Sequence, residues 1–229
     1  VWEREHLQMP ASHMVASVGE LQALYRPAGR GALDKVIDRL DDHCRDFIAH
    51  SPFVIVSTAD ERGRCDASPK GGPPGFVQVL GDTQLAWGDL AGNNRLDSMR
   101  NLMTNAGIAL LFVVPGLDET LRVNGEAVIT TDPAILERCT IDTTVPRVAV
   151  TVTVREAYIH CAKAFRRSDL WHPEAWPDRS DMASVACMLR DHADVRHLEP
   201  SVIEEALETD YERTLWQAGG NDKESAELG

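Results

Sequence analysis

Between Arg147 and His160 the chain alternates: Val148, Val150, Val152 and Val154 are set among Arg147, Ala149, Thr151, Thr153 and Arg155. A period of two puts the valines on one face and the polar side chains on the other, as in a long strand with one side in a core. Such a strand needs partners, so the rest of the sequence must supply a sheet. It does so in short runs rich in β-branched and aromatic residues at 53–58, 65–68, 76–80, 84–87, 107–114 and 120–129. Asp60-Glu61-Arg62-Gly63 turns the first two runs into a hairpin, and Gly125 predicts a kink or bulge in the last. Helical spacing marks 18–25, 33–48, 94–104, 133–138, 162–170, 182–192 and 200–217. Ser51-Pro52 ends the second of these, because proline disfavours helix in the residue before it. The expected fold is mainly β with flanking helices: a small closed antiparallel barrel, one helix inserted among its strands, and a helical C-terminal tail.

Composition narrows the partners. With 36 acidic against 23 basic residues the net charge is −13, which argues against nucleic acid, since neutralising phosphates takes a basic surface. The late acidic runs, Glu204-Glu205 and Glu224 to Glu227, read as a solvated face. No apolar run approaches membrane-spanning length, and the opening Val1-Trp2-Glu3-Arg4-Glu5-His6 has neither the basic start nor the apolar centre of a signal peptide. Five cysteines (Cys44, Cys65, Cys139, Cys161, Cys187) without close pairing predict no disulfide framework and a cytoplasmic location. His43-Cys44 and His160-Cys161 are adjacent pairs and do not make a four-ligand zinc set.

Two loops carry the chemistry. Ser68-Pro69-Lys70-Gly71-Gly72-Pro73-Pro74-Gly75-Phe76 is a glycine- and proline-rich loop with one lysine, and Gly92-Asn93-Asn94-Arg95-Leu96 leads into the inserted helix. Backbone N–H groups, the lysine and the arginine together suit a phosphate. Taken singly, each residue has a plainer reading. Lys70 is a solvated turn lysine, Asn93 and Asn94 are helix caps, Trp87 and Trp171 are packing residues, His160 is a core histidine, and Cys65 is an inert thiol. No Ser-His-Asp set, H-E-x-x-H, Walker loop or G-x-G-x-x-G dinucleotide fingerprint is present.

These two segments, with Leu121-Arg122-Val123-Asn124-Gly125-Glu126-Ala127, His160-Cys161-Ala162-Lys163-Ala164 and Arg167-Ser168-Asp169-Leu170-Trp171, occur in that order. Together they resemble the FMN-binding split-barrel family related to pyridoxamine 5'-phosphate oxidase, and most of all a bacterial branch of FMN-dependent flavoproteins. The resemblance spans roughly 35 to 175. It implies a Greek-key split barrel over 31–175, an N-terminal extension over 1–30 and an acidic helical tail over 176–229 packed on the same domain. It also implies a homodimer with FMN at the subunit interface. Carried over by position, Ser68, Lys70, Asn94, Arg95 and Ser98 would hold the FMN phosphate. The isoalloxazine would lie against Cys65, Asp66, Ala67, Trp87, Gly88 and Asp89. The second subunit would add His160, Lys163, Arg167 and Trp171.

The implied activity is that of an FMN-dependent oxidoreductase, moving hydride through flavin N5 to or from a small molecule, with NAD(P)H a plausible donor. Arg122, Lys163 and Arg167 are candidates for steering an anionic substrate. The vitamin B6 oxidases end soon after the barrel with an Arg and a His that grip pyridoxal phosphate. This chain instead continues through Met182 to Gln217, so that substrate is not expected. The fold also hosts haem-binding and deazaflavin-using proteins, which leaves a non-catalytic binding protein and a deazaflavin-dependent reductase as alternatives.

Overall fold

The computed structural model describes residues 10–193 and 195–220; the first residues of the chain and the Glu224 to Glu227 run lie outside them. Seven described strands form one antiparallel sheet: β1 (Phe53–Ala59), β2 (Cys65–Gly71), β3 (Gln78–Gly81), β4 (Gln84–Gly88), β5 (Gly107–Val113), β6 (Thr120–Thr130) and β7 (Ala149–His160). Their order across the sheet is β2-β1-β5-β6-β7-β4-β3. The helices are α1 (Val18–Ala23), α2 (Arg30–Asp34), α3 (Asp42–His50), α4 (Asp97–Leu102), α5 (Pro133–Arg138), α6 (Lys163–Ser168), α7 (Val185–His192) and α8 (Pro200–Thr214).

The barrel is split, as the resemblance implies, and not closed as the strand pattern alone suggests. Its ladder ends at β2 on one side and β3 on the other. The sheet nevertheless rolls round one core, because Val54 and Val56 of β1 share that core with Leu110 and Phe112 of β5, Val123 of β6, Val152 of β7, and Leu85 and Trp87 of β4. Burying one face of seven twisted strands against itself bends the sheet until its ends face each other. Lys70 of β2 thereby comes within 3.8 Å of Asp89, just past β4.

Three local expectations change. The helix expected over 33–48 is broken, since Ile37 and Ala157 exchange backbone hydrogen bonds (3.0 and 2.7 Å) and Leu40 N–H donates to Asp82 O (2.6 Å). Asp41 then starts α3 afresh, its carboxylate accepting from the Cys44 N–H at 2.9 Å. The strand expected over 65–68 runs on through Pro69 to Gly71, read as loop; Pro69 fits because β2 is an edge strand. The inserted helix begins at Asp97, after Asn94 and Leu96 have taken left-handed conformations (φ 53 and 58), so neither asparagine caps it.

The irregularity expected at Gly125 is there, but the extra residue is on the partner strand. Asn124 pairs with Glu156 and Gly125 with Val154, which leaves Arg155 unpaired. A Cβ at Gly125 would fall on the carbonyl oxygen of Thr153, so only glycine permits this approach. The five cysteines are free thiols.

Candidate functional site

The inner face of β1 is apolar at Val54 and Val56 and ends in a buried Thr58. Across the ladder these residues pair with Lys70, Ser68 and Asp66 of β2. Directly paired residues point to the same side, so the inner surface of the barrel turns polar at its last strand. That polar row faces the segment joining β4 to α4, and a cavity of about 210 Å³ lies between them. Asp66, Ala67, Ser68, Lys70, Asp89, Asn94, Arg95 and Ser98 all line it. The two left-handed residues flanking Arg95 turn the loop so that Arg95 reaches this cavity, and its N–H donates to Asn93 Oδ1 at 3.2 Å.

A wider cavity of about 560 Å³ adjoins the first, sharing Ser68, Lys70, Gly92 and Asn93. Phe76, Trp87, Gly88, Leu90, Leu215 and Trp216 give it aromatic and aliphatic walls. One end of the cleft is polar and charged; the other is apolar and broad.

Charge at the polar end is finely balanced. Arg95 Nε donates to Asp97 Oδ2 at 2.7 Å, and this bond is the main reason its guanidinium holds its proton more tightly than usual. Ser98 Oγ donates to Asp66 Oδ2 at 2.5 Å. Lys70 faces Asp89 at 3.8 Å, an ion pair too long to be a hydrogen bond. Burial pushes the Asp89 carboxyl above its ordinary value, and the Lys70 charge only partly offsets this.

A carboxyl raised by folding is bound to its proton more tightly in the native chain, so its contribution to stability is present at low pH. That contribution is lost as pH rises from the ordinary carboxylate range through the raised native value. Asp89→Asn is therefore expected to flatten this part of the profile, gaining on wild type as pH rises through the window. Thermal midpoints across pH 4–8 (roughly the span of such shifts) check it, and parallel profiles would refute it.

The remaining sequence candidates divide clearly. Trp87 lines the wide cavity yet is 2% exposed and belongs to the main core, so its packing and wall roles coincide. Cys65 is exposed at the start of β2 and lines neither cavity. His160, opposite Thr120 at the end of β7, also lines neither, nor do Lys163 and Arg167 of α6. Trp171 stacks on Phe165 (ring centroids 5.5 Å apart), donates from Nε1 to Leu117 O at 3.0 Å, and is likewise away from the cavities. Arg122 sits over the Tyr158 ring at 5.7 Å, also outside the cleft. Sequence reasoning missed Phe76, Leu90, Asp97, Leu215 and Trp216 as lining residues. Asp97, two residues from Arg95, was the only one with a local signal. Among the described residues no group of three His, Cys, Asp or Glu side chains forms a metal site, and no helix is long and apolar enough to cross a membrane.

A flat ring bearing a phosphate fits the cleft by the chemistry of its walls. Lys70, Ser68, Asn94 and Arg95 are donors at the polar end, and Phe76 and Trp87 flank the apolar one. Asp89 and Asp97 are the groups an incoming phosphate would replace as partners of Lys70 and Arg95.

Among solved structures, HupZ from Group A Streptococcus is 19% identical, matching 52% of this chain and 92% of its own with a TM-score of 0.43. An FMN-binding protein from Syntrophomonas wolfei is 12% identical over 51% of this chain and 83% of its own, with a TM-score of 0.41. A Clostridium acetobutylicum protein related to general stress protein 26 is 16% identical over 52% of this chain and 85% of its own, with a TM-score of 0.38. No curated protein sequence matches the chain. The family model for pyridoxamine 5'-phosphate oxidase matches residues 40–161, from just before α3 to just past β7, and so takes in every strand of the sheet. With more than half its length inside that match, the chain belongs to the pyridoxamine 5'-phosphate oxidase family.

Proposed function

We propose that this protein is an FMN-dependent oxidoreductase acting on a small molecule, with the FMN phosphate at the polar end of the cleft and the ring in the wider cavity. The observation that carries the reading is the change of the barrel's inner face from Val54, Val56 and Thr58 to Lys70, Ser68 and Asp66 at the edge strand, opposite Arg95. An interior strand face seldom ends in a lysine and an aspartate unless something polar is received there.

Bound there, FMN supplies hydride transfer through N5 between a donor, NADPH in the first instance, and an acceptor. The chain's own residues bind and orient. Lys70, at the junction of the two cavities, and Arg95 hold the phosphate by charge, while Ser68 and Asn94 add neutral donors. Phe76 and Trp87 keep water from one side of the ring.

A homodimer is part of the same proposal, with His160, Lys163, Arg167 and Trp171 of one copy meeting the cleft of the other. Two features support it. Ile55 and Leu111 pair on the outer face of the sheet and are only half-buried, and Asn124 on that face has a buried Oδ1 with no hydrogen-bond partner. An orphan acceptor of that kind is costly unless a donor comes from outside the chain. Light scattering is expected to give twice the chain mass, and Leu111→Arg to give a monomer. A wild-type monomer that still binds FMN would remove the dimer from the proposal.

The experiment for the function is the absorption spectrum of the protein purified without added cofactor, repeated after anaerobic NADPH. Flavin bands near ~375 and ~450 nm are expected, bleaching with NADPH. A Soret band would replace FMN by haem, preference for a deazaflavin in competition would replace it by that cofactor, and a colourless chain that takes up no FMN would end the proposal. FMN bands that no reductant bleaches would leave a binding protein rather than an enzyme.

A further inference from the structure

The wide cavity has one wall from outside the family-matched region. After α8 the backbone turns back over the segment that follows β4: the Ala91 N–H donates to Gln217 O at 2.8 Å and the Gly219 N–H to Asp89 O at 3.1 Å. Thr144 Oγ1 donates to Trp216 O at 2.8 Å. Gly219 lies so close over Asp89 that a Cβ there would strike its carboxylate. The tail is thus fixed by its backbone, and its side chains are left for other work. Trp216 is 49% exposed, belongs to neither core cluster, and lines the wide cavity together with Leu215. A large indole on a pinned backbone, half open and facing a cavity whose other walls include Phe76 and Trp87, has the geometry of a ring contact.

We infer that Trp216, backed by Leu215, is a binding residue for the flat fused ring of the ligand, in the wide cavity that adjoins the polar end where Arg95 and the junction residue Lys70 hold the phosphate. The ligand class is a planar heteroaromatic ring joined to a phosphate. The inference rests on the FMN reading above and assigns the ring-binding part of that site to the C-terminal tail.

The two ends can be separated with FMN and riboflavin, which share the ring and differ by the phosphate. Dissociation constants are measured by flavin fluorescence for the full chain and for Trp216→Ala, Trp216→Phe and Trp176→Ala. Trp176 donates to Leu170 O and lines neither cavity, which makes it the tryptophan control. Trp216→Ala is expected to weaken FMN and riboflavin by the same factor, about tenfold, as the loss of one ring-stacking aromatic does. Trp216→Phe and Trp176→Ala are expected to stay near wild type. Unchanged affinities in Trp216→Ala overturn the inference. So does a loss for FMN alone, which assigns the effect to the phosphate end. A loss shared by Trp216→Phe and accompanied by a lowered thermal midpoint assigns it to folding and also overturns it. A wild-type chain that binds neither flavin overturns the FMN reading itself, and this assignment with it, before any variant is compared.

Discussion

Replacing Lys70 and Arg95 together by alanine is expected to lower FMN affinity by about 10²- to 10³-fold while leaving riboflavin affinity nearly unchanged. Charge-assisted hydrogen bonds contribute roughly 1.5–3 kcal/mol each, which sets the gross effect of losing two. The net effect is smaller because each cation already has a carboxylate. Arg95 gives up Asp97 at 2.7 Å and Lys70 gives up Asp89 at 3.8 Å when a phosphate arrives. The exposed Arg95–Asp97 pair is worth only about 0–1 kcal/mol, and the partly buried Lys70–Asp89 pair at 3.8 Å is too long for a hydrogen bond, so most of the gain survives. The loss is also expected to shrink at high salt, since Arg95 is open to solvent and screened. Equal FMN affinity in wild type and double variant would take both residues out of the site, whatever else binds there.

Phe112→Ala is expected to destabilise the fold by about 3–5 kcal/mol, the usual range for emptying a buried phenylalanine site. Phe112 has no exposed surface, sits on β5 between β1 and β6, and pairs with Val54 on one side and Leu121 on the other, both also fully buried. Strands held in ladders on both sides cannot collapse into the void, which favours the upper part of the range. Urea unfolding should show a lower midpoint with an unchanged slope. A loss below about 1 kcal/mol would mean that the core repacks freely, contrary to the ladder.

What could be read from the sequence followed from how local its causes are. The alternation at Val150, Val152 and Val154 gave β7, because burial of one strand face is written at every second residue. Pro133 and Arg138 bound α5 where expected, with Asp132 accepting from the Ala134 N–H at 2.9 Å. The features that escaped depend on distant parts of the chain. Ile37 leaves the helix because Ala157 offers it a ladder partner, a competition no local window contains. Pro69 to Gly71 looked like loop from glycine and proline content, yet β1 provides a register for each residue. At the site, Lys70 and Arg95 were found through charge and the resemblance, whereas Asp89 was named only as a neighbour of the ring and Asp97 had no role assigned. Asp89 becomes a partner only when the sheet has rolled its two ends together. Trp216 had no signal at all, since its role depends on a tail returning to the far side of the barrel.

The bridge between Leu90 and Ala218 joins positions well over a hundred residues apart in the chain. Contacts of such long range form late, because the loop they close must first be ordered. During synthesis every strand of the sheet emerges ahead of the segment that completes the cleft. The barrel can therefore assemble with its cleft still open on one side, and the wall formed by Leu215 and Trp216 is added only when the tail folds back over Asp89 and Ala91.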